Sequence, residues 1–294
     1  MIDVRALTKV YGDRPAVDGL SFTAPAGKVT GFLGPNGAGK TTTFRCLLGL
    51  AAPTAGEALI DGRPYRDLDS PRRRVGAVLE STGFHPARTG RNHLRVVARA
   101  AALDGSRVDP LLELVGLAGA AERRVGGYSL GMRQRLGLAA AMLGDPEVIV
   151  LDEPANGLDP EGVSWVRRLL RLWADDGRTV LVSSHLLAEV AQVVDRVVIV
   201  RDGTLVAEKD IGDPTVTQVL VRADPVEPLL LALAAAGIEH EVLADSSVTV
   251  PGREPAEVGA IAREAGVTVT ELARRSAGEA LEAMFLDVTR GGRP

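Results

Sequence analysis

The sequence of 294 residues predicts an α/β fold followed by a smaller α+β unit, and three observations carry that prediction. A short apolar run, Val29 to Leu33, opens into a glycine-rich loop that closes on Lys40-Thr41, and a helical pattern with Phe44, Leu47 and Leu48 follows. Two further buried-strand runs, at residues 148–151 and 179–182, break off into polar residues, Asp152-Glu153 and Ser183-Ser184-His185. From about Asp213 the texture changes to strand, helix, strand, strand, helix, strand.

The loop reads Gly34-Pro35-Asn36-Gly37-Ala38-Gly39-Lys40-Thr41-Thr42. A strand, a glycine loop ending in Lys-Thr and then a helix is the context a phosphate-binding loop requires. Successive backbone N–H groups and the positive end of the following helix surround a polyphosphate. Glycines permit approach distances that a Cβ forbids. In such a loop Lys40 reaches the β- and γ-phosphates, and the Thr41 hydroxyl ligates Mg²⁺. A glycine turn ahead of a surface lysine could share the letters, but the flanking strand and helix favour a nucleotide binder.

Composition narrows the class. Hydrophobic residues at 46% and charged ones at 24% suit a globular chain with a core, in one large domain or two. A formal charge of −4 argues against nucleic acid as a partner, because such binding rests on excess Lys and Arg. Cys46 is the only cysteine, which excludes a disulfide framework and a thiolate zinc site and fits a reducing compartment. Asp3 and Arg5 interrupt any secretory leader pattern. The longest apolar runs, such as residues 229–236, reach about half of the roughly 20 residues that a spanning helix needs. Work at a membrane would be done from outside the bilayer.

Taken in order, residues 2–7 alternate as a strand, residues 8–12 read as a loop, and residues 21–24 form a second strand. Tyr11, in that loop, either stacks on an adenine, a contact worth about 1–3 kcal/mol, or packs a turn. After the first helix come a strand at residues 57–60, ended by Asp61-Gly62, and one at 75–79 that delivers Glu80 to a loop. Residues 89–122 turn helical, with Leu94, Val97, Ala98 and Ala101 on one face, and look like a subdomain inserted between strands.

Ser129 caps a helix carrying Leu136, Leu138 and Met142. Its N-terminus offers an anion site, though taken alone a plain capped core helix explains the pattern better. Asp152, at the tip of a buried strand, takes the Mg²⁺ position of phosphate-loop enzymes. Glu153 is placed to orient or deprotonate an attacking water. His185 ends a third buried strand; alone it reads as structural, and beside the other strand tips as a contact to the γ-phosphate. Residues 195–200 and 204–207 form a hairpin about Asp202-Gly203.

Beyond that hairpin, the order βαββαβ over residues 216–272 suits a ferredoxin-like module. A last helix opens on a capping box, Ser276 and Glu279. This segment carries no catalytic constellation. It reads as a regulatory or partner-contact module, or equally as a stabilising flap.

Assembled in order, residues 1–210 resemble the ATP-binding subunit of an ABC transporter. Tyr11 falls at that family's adenine-stacking position, Gly34 to Thr42 at its phosphate loop, and Ser129 to Arg135 at its signature helix. Asp152 and Glu153 match the Mg²⁺ ligand and catalytic glutamate, Asn156-Gly157-Leu158-Asp159 the loop crossing the dimer face, and His185 the γ-phosphate histidine. The resemblance implies a P-loop NTPase core with an N-terminal antiparallel β subdomain and a helical subdomain at about residues 88–145. Residues 1–212 would form the ATP-binding domain and 213–294 the accessory α+β module.

It also implies ATP and Mg²⁺ as ligands, with Lys40, Glu153 and His185 in catalysis and Thr41, Asp152 and Glu80 around the metal. Two copies, or one copy and a paired ATP-binding subunit, would join head to tail, so that Ser129, Gly131 and Asp159 meet nucleotide across the shared face. The remaining implied partner is a separate membrane permease, which sets the chain in the cytoplasm against the inner face of the membrane.

Two departures stand out. The family's frequent Leu-Ser-Gly-Gly-Gln signature is Tyr128-Ser129-Leu130-Gly131-Met132 here, and Glu80 stands where a glutamine is usual. A glutamate can still ligate Mg²⁺, though its charge is unfavourable near phosphates unless the metal offsets it. Both variants, and the tail Leu281-Glu282-Ala283-Met284-Phe285-Leu286, look like the bacitracin- and antibiotic-export subgroup. Export of a drug, antibiotic or other amphiphile is therefore expected. The alternative is a soluble ATPase of the same superfamily acting in DNA maintenance or translation, whose coiled-coil insertion, zinc cysteines or second phosphate loop the sequence lacks.

Overall fold

The computed structural model describes residues 1–79, 83–185, 192–211, 218–243 and 245–275. Glu80, the helix expected from Ser276 and the tail at residues 281–286 lie outside the described residues. The chain divides into two compact units, Met1–Asp210 and Ile211–Pro294.

In the first unit, β1 (Ile2–Tyr11), β2 (Arg14–Ala24) and β4 (Ala55–Ile60) form an antiparallel sheet in the order β2–β1–β4. The sequence predicts a first strand that ends at residue 7 and a second that begins at residue 21. Both strands instead run on to a tight hairpin, because residues 9–11 find partners across the turn: Lys9 lies opposite Val17, Val10 opposite Pro15 and Tyr11 opposite Arg14. Tyr11 therefore closes a strand and is not a loop residue. Register shifts between Val4 and Val10 bend the pair.

The main sheet contains β3 (Val29–Leu33), β5 (Val75–Val78), β6 (Val148–Asp152), β7 (Thr179–Ser184), β8 (Arg196–Arg201) and β9 (Thr204–Asp210). Their order is β5–β6–β7–β3–β8–β9, with every pair parallel except the β8–β9 hairpin. Strands β3, β6 and β7 are buried at every position, which is why they read as unbroken apolar runs without alternation. Being parallel, these three neighbours end on one edge, where Leu33 lies opposite Ser184 and Asp152 opposite Ser183. Whatever follows each strand is thus brought side by side, at the place where open α/β sheets bind ligands.

Helix α1 (Lys40–Leu47) packs into the space between the two sheets. Phe22 of β2, Phe32 of β3 and Phe44 of α1 stack in series there, with ring centroids 4.9 and 5.6 Å apart. Each buried ring contributes about 1.5–3 kcal/mol, and together they tie both sheets to the helix after the loop. Cys46 lies in the same core, as expected, and burial pushes its thiol pKa up. The short α2 (Pro71–Arg74) precedes β5. Helices α3 (Gly90–Ala100), α4 (Val108–Leu114) and α5 (Leu130–Ala141) pack on one another between β5 and β6 in the chain, and α6 (Pro160–Asp175) follows β6.

The second unit contains β10 (Gln218–Asp224), α7 (Glu227–Ala235), β11 (Glu241–Val242), β12 (Val248–Pro251), α8 (Pro255–Glu264) and β13 (Thr268–Arg275). Its sheet order is β11–β12–β10–β13 with all neighbours antiparallel. This is the ferredoxin-like arrangement expected from the βαββαβ order. Val219, Val221, Leu229, Leu233, Val250 and Val258 supply its own core.

Candidate functional site

The loop after β3 turns into α1 through Gly39, at φ +98°. A Cβ there would stand 2.4 Å from the carbonyl oxygen of Ala16, so both the backbone angle and the close approach require glycine. No side chain caps α1, and no acid lies in its first turn. Helices α3, α5 and α6 are capped by Thr89, Ser129 and Asp159. The first N–H groups of α1 and its positive end are therefore left for an anion. Gly37, Ala38, Gly39, Lys40, Thr41 and Thr42 line a cleft of about 460 Å³, together with Asn36 from the loop.

The opposite wall comes from the tips of β6 and β7. Lys40 is buried, and its Nζ donates to the carbonyls of Gly34 (2.6 Å) and Pro35 (3.2 Å). The same ammonium stands 3.4 Å from Glu153 Oε1. Glu153 Oε2 meets His185 Nδ1 at 2.8 Å and accepts the His185 backbone N–H at 3.3 Å. Lys40, Glu153 and His185 thus form one chain of contacts across the cleft, in which Glu153 Oε1 is buried without a hydrogen-bond partner. One step deeper, the Thr41 hydroxyl donates to Asp152 Oδ2 at 2.7 Å, and Asp152 is almost fully buried. A hydroxyl and a carboxylate oxygen facing each other are the donor set a hard divalent cation takes, and the uncapped helix matches a phosphate chain. The residues fit both groups.

Three residues of the site are not among those that the sequence assigns to it. Asn156 and Ala16 line the cleft. Ser183 lies beneath it, donating to Asp152 Oδ1 at 2.6 Å and accepting the Glu153 N–H at 2.9 Å. The only signal for Ser183 in the sequence is a hydroxyl ending an apolar strand run.

Other expected site residues stand apart from this cleft. Tyr11 is half-exposed at the β1–β2 hairpin, with Lys9 Nζ 4.9 Å from its ring centroid. Ser129 caps α5 by accepting from Met132 N–H at 3.2 Å, and Asp159 caps α6 by accepting from Gly162 N–H at 2.7 Å. Residues 156–159 pack on the start of α5: Gly157, at φ +73°, leaves room for Leu130, which a Cβ would meet at 2.3 Å. Gly131 faces Leu158 there. The unusual Tyr128 is buried, and its hydroxyl donates to the Ala120 carbonyl at 2.7 Å; burial pushes the phenol pKa up.

Comparison with known proteins places this geometry. A model of the ABC transporter family matches residues 17–156. Over 211 residues the chain is 43% identical to the bacitracin transport ATP-binding protein of Bacillus licheniformis, covering 71% of this chain and 69% of that one. The chain belongs to the ABC transporter ATP-binding family. It is also 35% identical to a lantibiotic transport ATP-binding protein of Streptococcus pyogenes over 212 residues, 71% of this chain and 91% of the relative. A Nod factor export ATP-binding protein of Burkholderia orbicola is 42% identical, with 70% of each chain covered.

Among solved structures, the ATP-binding subunit of an ABC transporter superposes with a TM-score of 0.66 at 28% identity, over 73% of this chain and 91% of that one. A dimeric ATP-binding cassette in a post-hydrolysis state, bound to ADP and Pi, gives 0.65 at 26% identity, over 71% and 98%. This ABC transporter subunit is an ATPase. Its relatives serve transport and export, which sets aside a soluble ATPase of DNA maintenance or translation. A domain of unknown function matches residues 217–278, nearly the span of the ferredoxin-like unit.

Proposed function

We propose that this ATPase powers export of an antibiotic-like amphiphile by a separate membrane permease, working as one of a pair of ATP-binding subunits. The observation that carries the reading is the Lys40–Glu153–His185 chain of contacts at three adjacent strand tips, beside the Thr41–Asp152 pair. Lys40 binds the β- and γ-phosphates, and the uncapped start of α1 holds the phosphate chain. Thr41 and Asp152 hold Mg²⁺, with Glu80 as a further ligand. The metal, when bound, offsets the charge that develops on the phosphates. Glu153 takes the proton of the attacking water through Oε1, while His185 orients that carboxylate and contacts the γ-phosphate. Tyr11 stacks on the adenine.

Ser129 and Gly131 serve the nucleotide of the other copy, and Asp159 lies at the shared face. The packing of residues 156–159 on the start of α5 supports this, because it joins the loop after Glu153 to the signature helix. Antibiotic export rests on the names of the bacitracin and lantibiotic relatives. No helix among the described residues is long and apolar enough to cross a membrane; the separate permease and the place at the inner membrane face rest on the transport relatives. Residues 213–294 form the accessory module, a boundary supported by the two compact units.

The test is the purified subunit assayed with and without the permease, taken as a multi-helix membrane protein that co-purifies with the full chain. ATP turnover is expected to rise when the reconstituted permease and its amphiphilic substrate are added. A subunit that captures no membrane protein and hydrolyses ATP equally fast alone would contradict the coupling.

A further inference from the structure

We infer that Ser183 is a positioning residue whose single hydroxyl fixes both acidic residues of the site, Asp152 through its carboxylate and Glu153 through its backbone. The inference rests on the roles given above to Asp152 and Glu153. Ser183 sits on β7 directly opposite Asp152 on β6 and is fully buried. A hydroxyl in so dry a place is costly unless its bonds are made. Both are made here: Oγ–H donates to Asp152 Oδ1 at 2.6 Å, and Oγ accepts the Glu153 N–H at 2.9 Å. A backbone N–H only donates, so Oγ accepts from Glu153 and its own hydrogen is free to go to Asp152.

Each bond has a separate consequence. Tying Oδ1 to β7 sets the rotation of the Asp152 carboxylate and leaves Oδ2 turned to Thr41, where the metal would be held. Accepting the Glu153 N–H anchors a residue whose φ is +51°, a left-handed conformation that residues with a Cβ seldom adopt. That conformation carries the chain from the end of β6 to the point where the Glu153 side chain lies between Lys40 and His185. Alanine at position 183 would leave a part-buried N–H and a buried carboxylate oxygen without their partner, with no other atom removed.

The test uses the full chain carrying Ser183→Ala or Ser183→Thr, with Glu153→Gln in parallel. Nucleotide affinity is measured at equilibrium in EDTA and across a Mg²⁺ titration, and turnover separately. For Ser183→Ala, the Mg²⁺ concentration that half-saturates the metal-dependent gain in affinity is expected to rise about 10-fold, and turnover to fall about 10–100-fold. Affinity in EDTA is expected to stay at the wild-type value. Ser183→Thr keeps the hydroxyl on a β-branched residue suited to a strand and is expected to recover most of both losses. Equal losses in EDTA and Mg²⁺ would mean a merely structural role and overturn the inference, as would an unchanged Ser183→Ala protein or a threonine variant no better than alanine. Normal turnover of Glu153→Gln would instead sink the role given to Glu153, while the Mg²⁺ titration of Ser183→Ala would still decide the Asp152 half.

Discussion

Glu153→Gln is expected to lower ATP turnover by about 10²–10⁴-fold and to leave ATP bound at least as tightly. The carboxylate is held from both sides, by His185 at Oε2 and by the Lys40 ammonium near Oε1. Glutamine fits the same space but cannot take a proton from water. The effect on binding has the opposite sign to that on turnover, because the carboxylate faces the place where the phosphates would lie. Removing its charge removes a repulsion that the nucleotide must otherwise overcome. Steady-state hydrolysis and equilibrium nucleotide binding on the same preparation check both halves. Near-normal turnover would take Glu153 out of the proton-transfer role.

Lys40→Met is expected to weaken ATP binding by roughly two orders of magnitude, the value of the charge-assisted bonds its ammonium would make to phosphate. Methionine keeps most of the buried stem but no donor, so the losses reflect the charge and not the volume. The substitution also strips Glu153 of its cation in a nearly dry site. Breaking a buried pair by removing one partner costs up to about 3–5 kcal/mol, and the exposure remaining at Glu153 together with its contact to His185 puts the expected loss of stability below that range. Adding Glu153→Gln to Lys40→Met is then expected to raise the melting temperature back toward wild type without restoring nucleotide binding. A Lys40→Met protein with wild-type affinity would contradict the assignment of the cleft.

Much of this site is legible in the sequence because its parts are local. The strand–loop–helix passage through Gly39 and Lys40 needs glycine at fixed offsets, and a buried parallel strand that ends in Asp152 or runs out into His185 announces its own tip. The order βαββαβ also follows from local pattern, which is why the second unit could be read without its sheet. What escaped depends on register. Residues 8–11 look like a loop until Arg14 and Val17 pair with Tyr11 and Lys9, so the sequence alone sets Tyr11 in a loop. Ser183 gains its partners only when β7 lies beside β6 with Asp152 opposite, a distance of 31 positions along the chain that no periodicity reports. Asn156 and Ala16 enter the cleft for the same reason, from loops and strands that tertiary packing brings to it. Helix α6 has a local signal, the Asp159 cap followed by Pro160 at the first helical position, which the resemblance of residues 156–159 to a dimer loop masks.

The central claim is that each chain holds half of the machinery for splitting ATP and that a second chain supplies the rest through its Ser129 helix. The most direct test is ATP turnover per chain, with Mg²⁺, measured across protein concentrations at which the monomer and dimer fractions are determined by sedimentation. Turnover that rises in proportion to the dimer fraction is the predicted result; full turnover from a chain that remains strictly monomeric would contradict it.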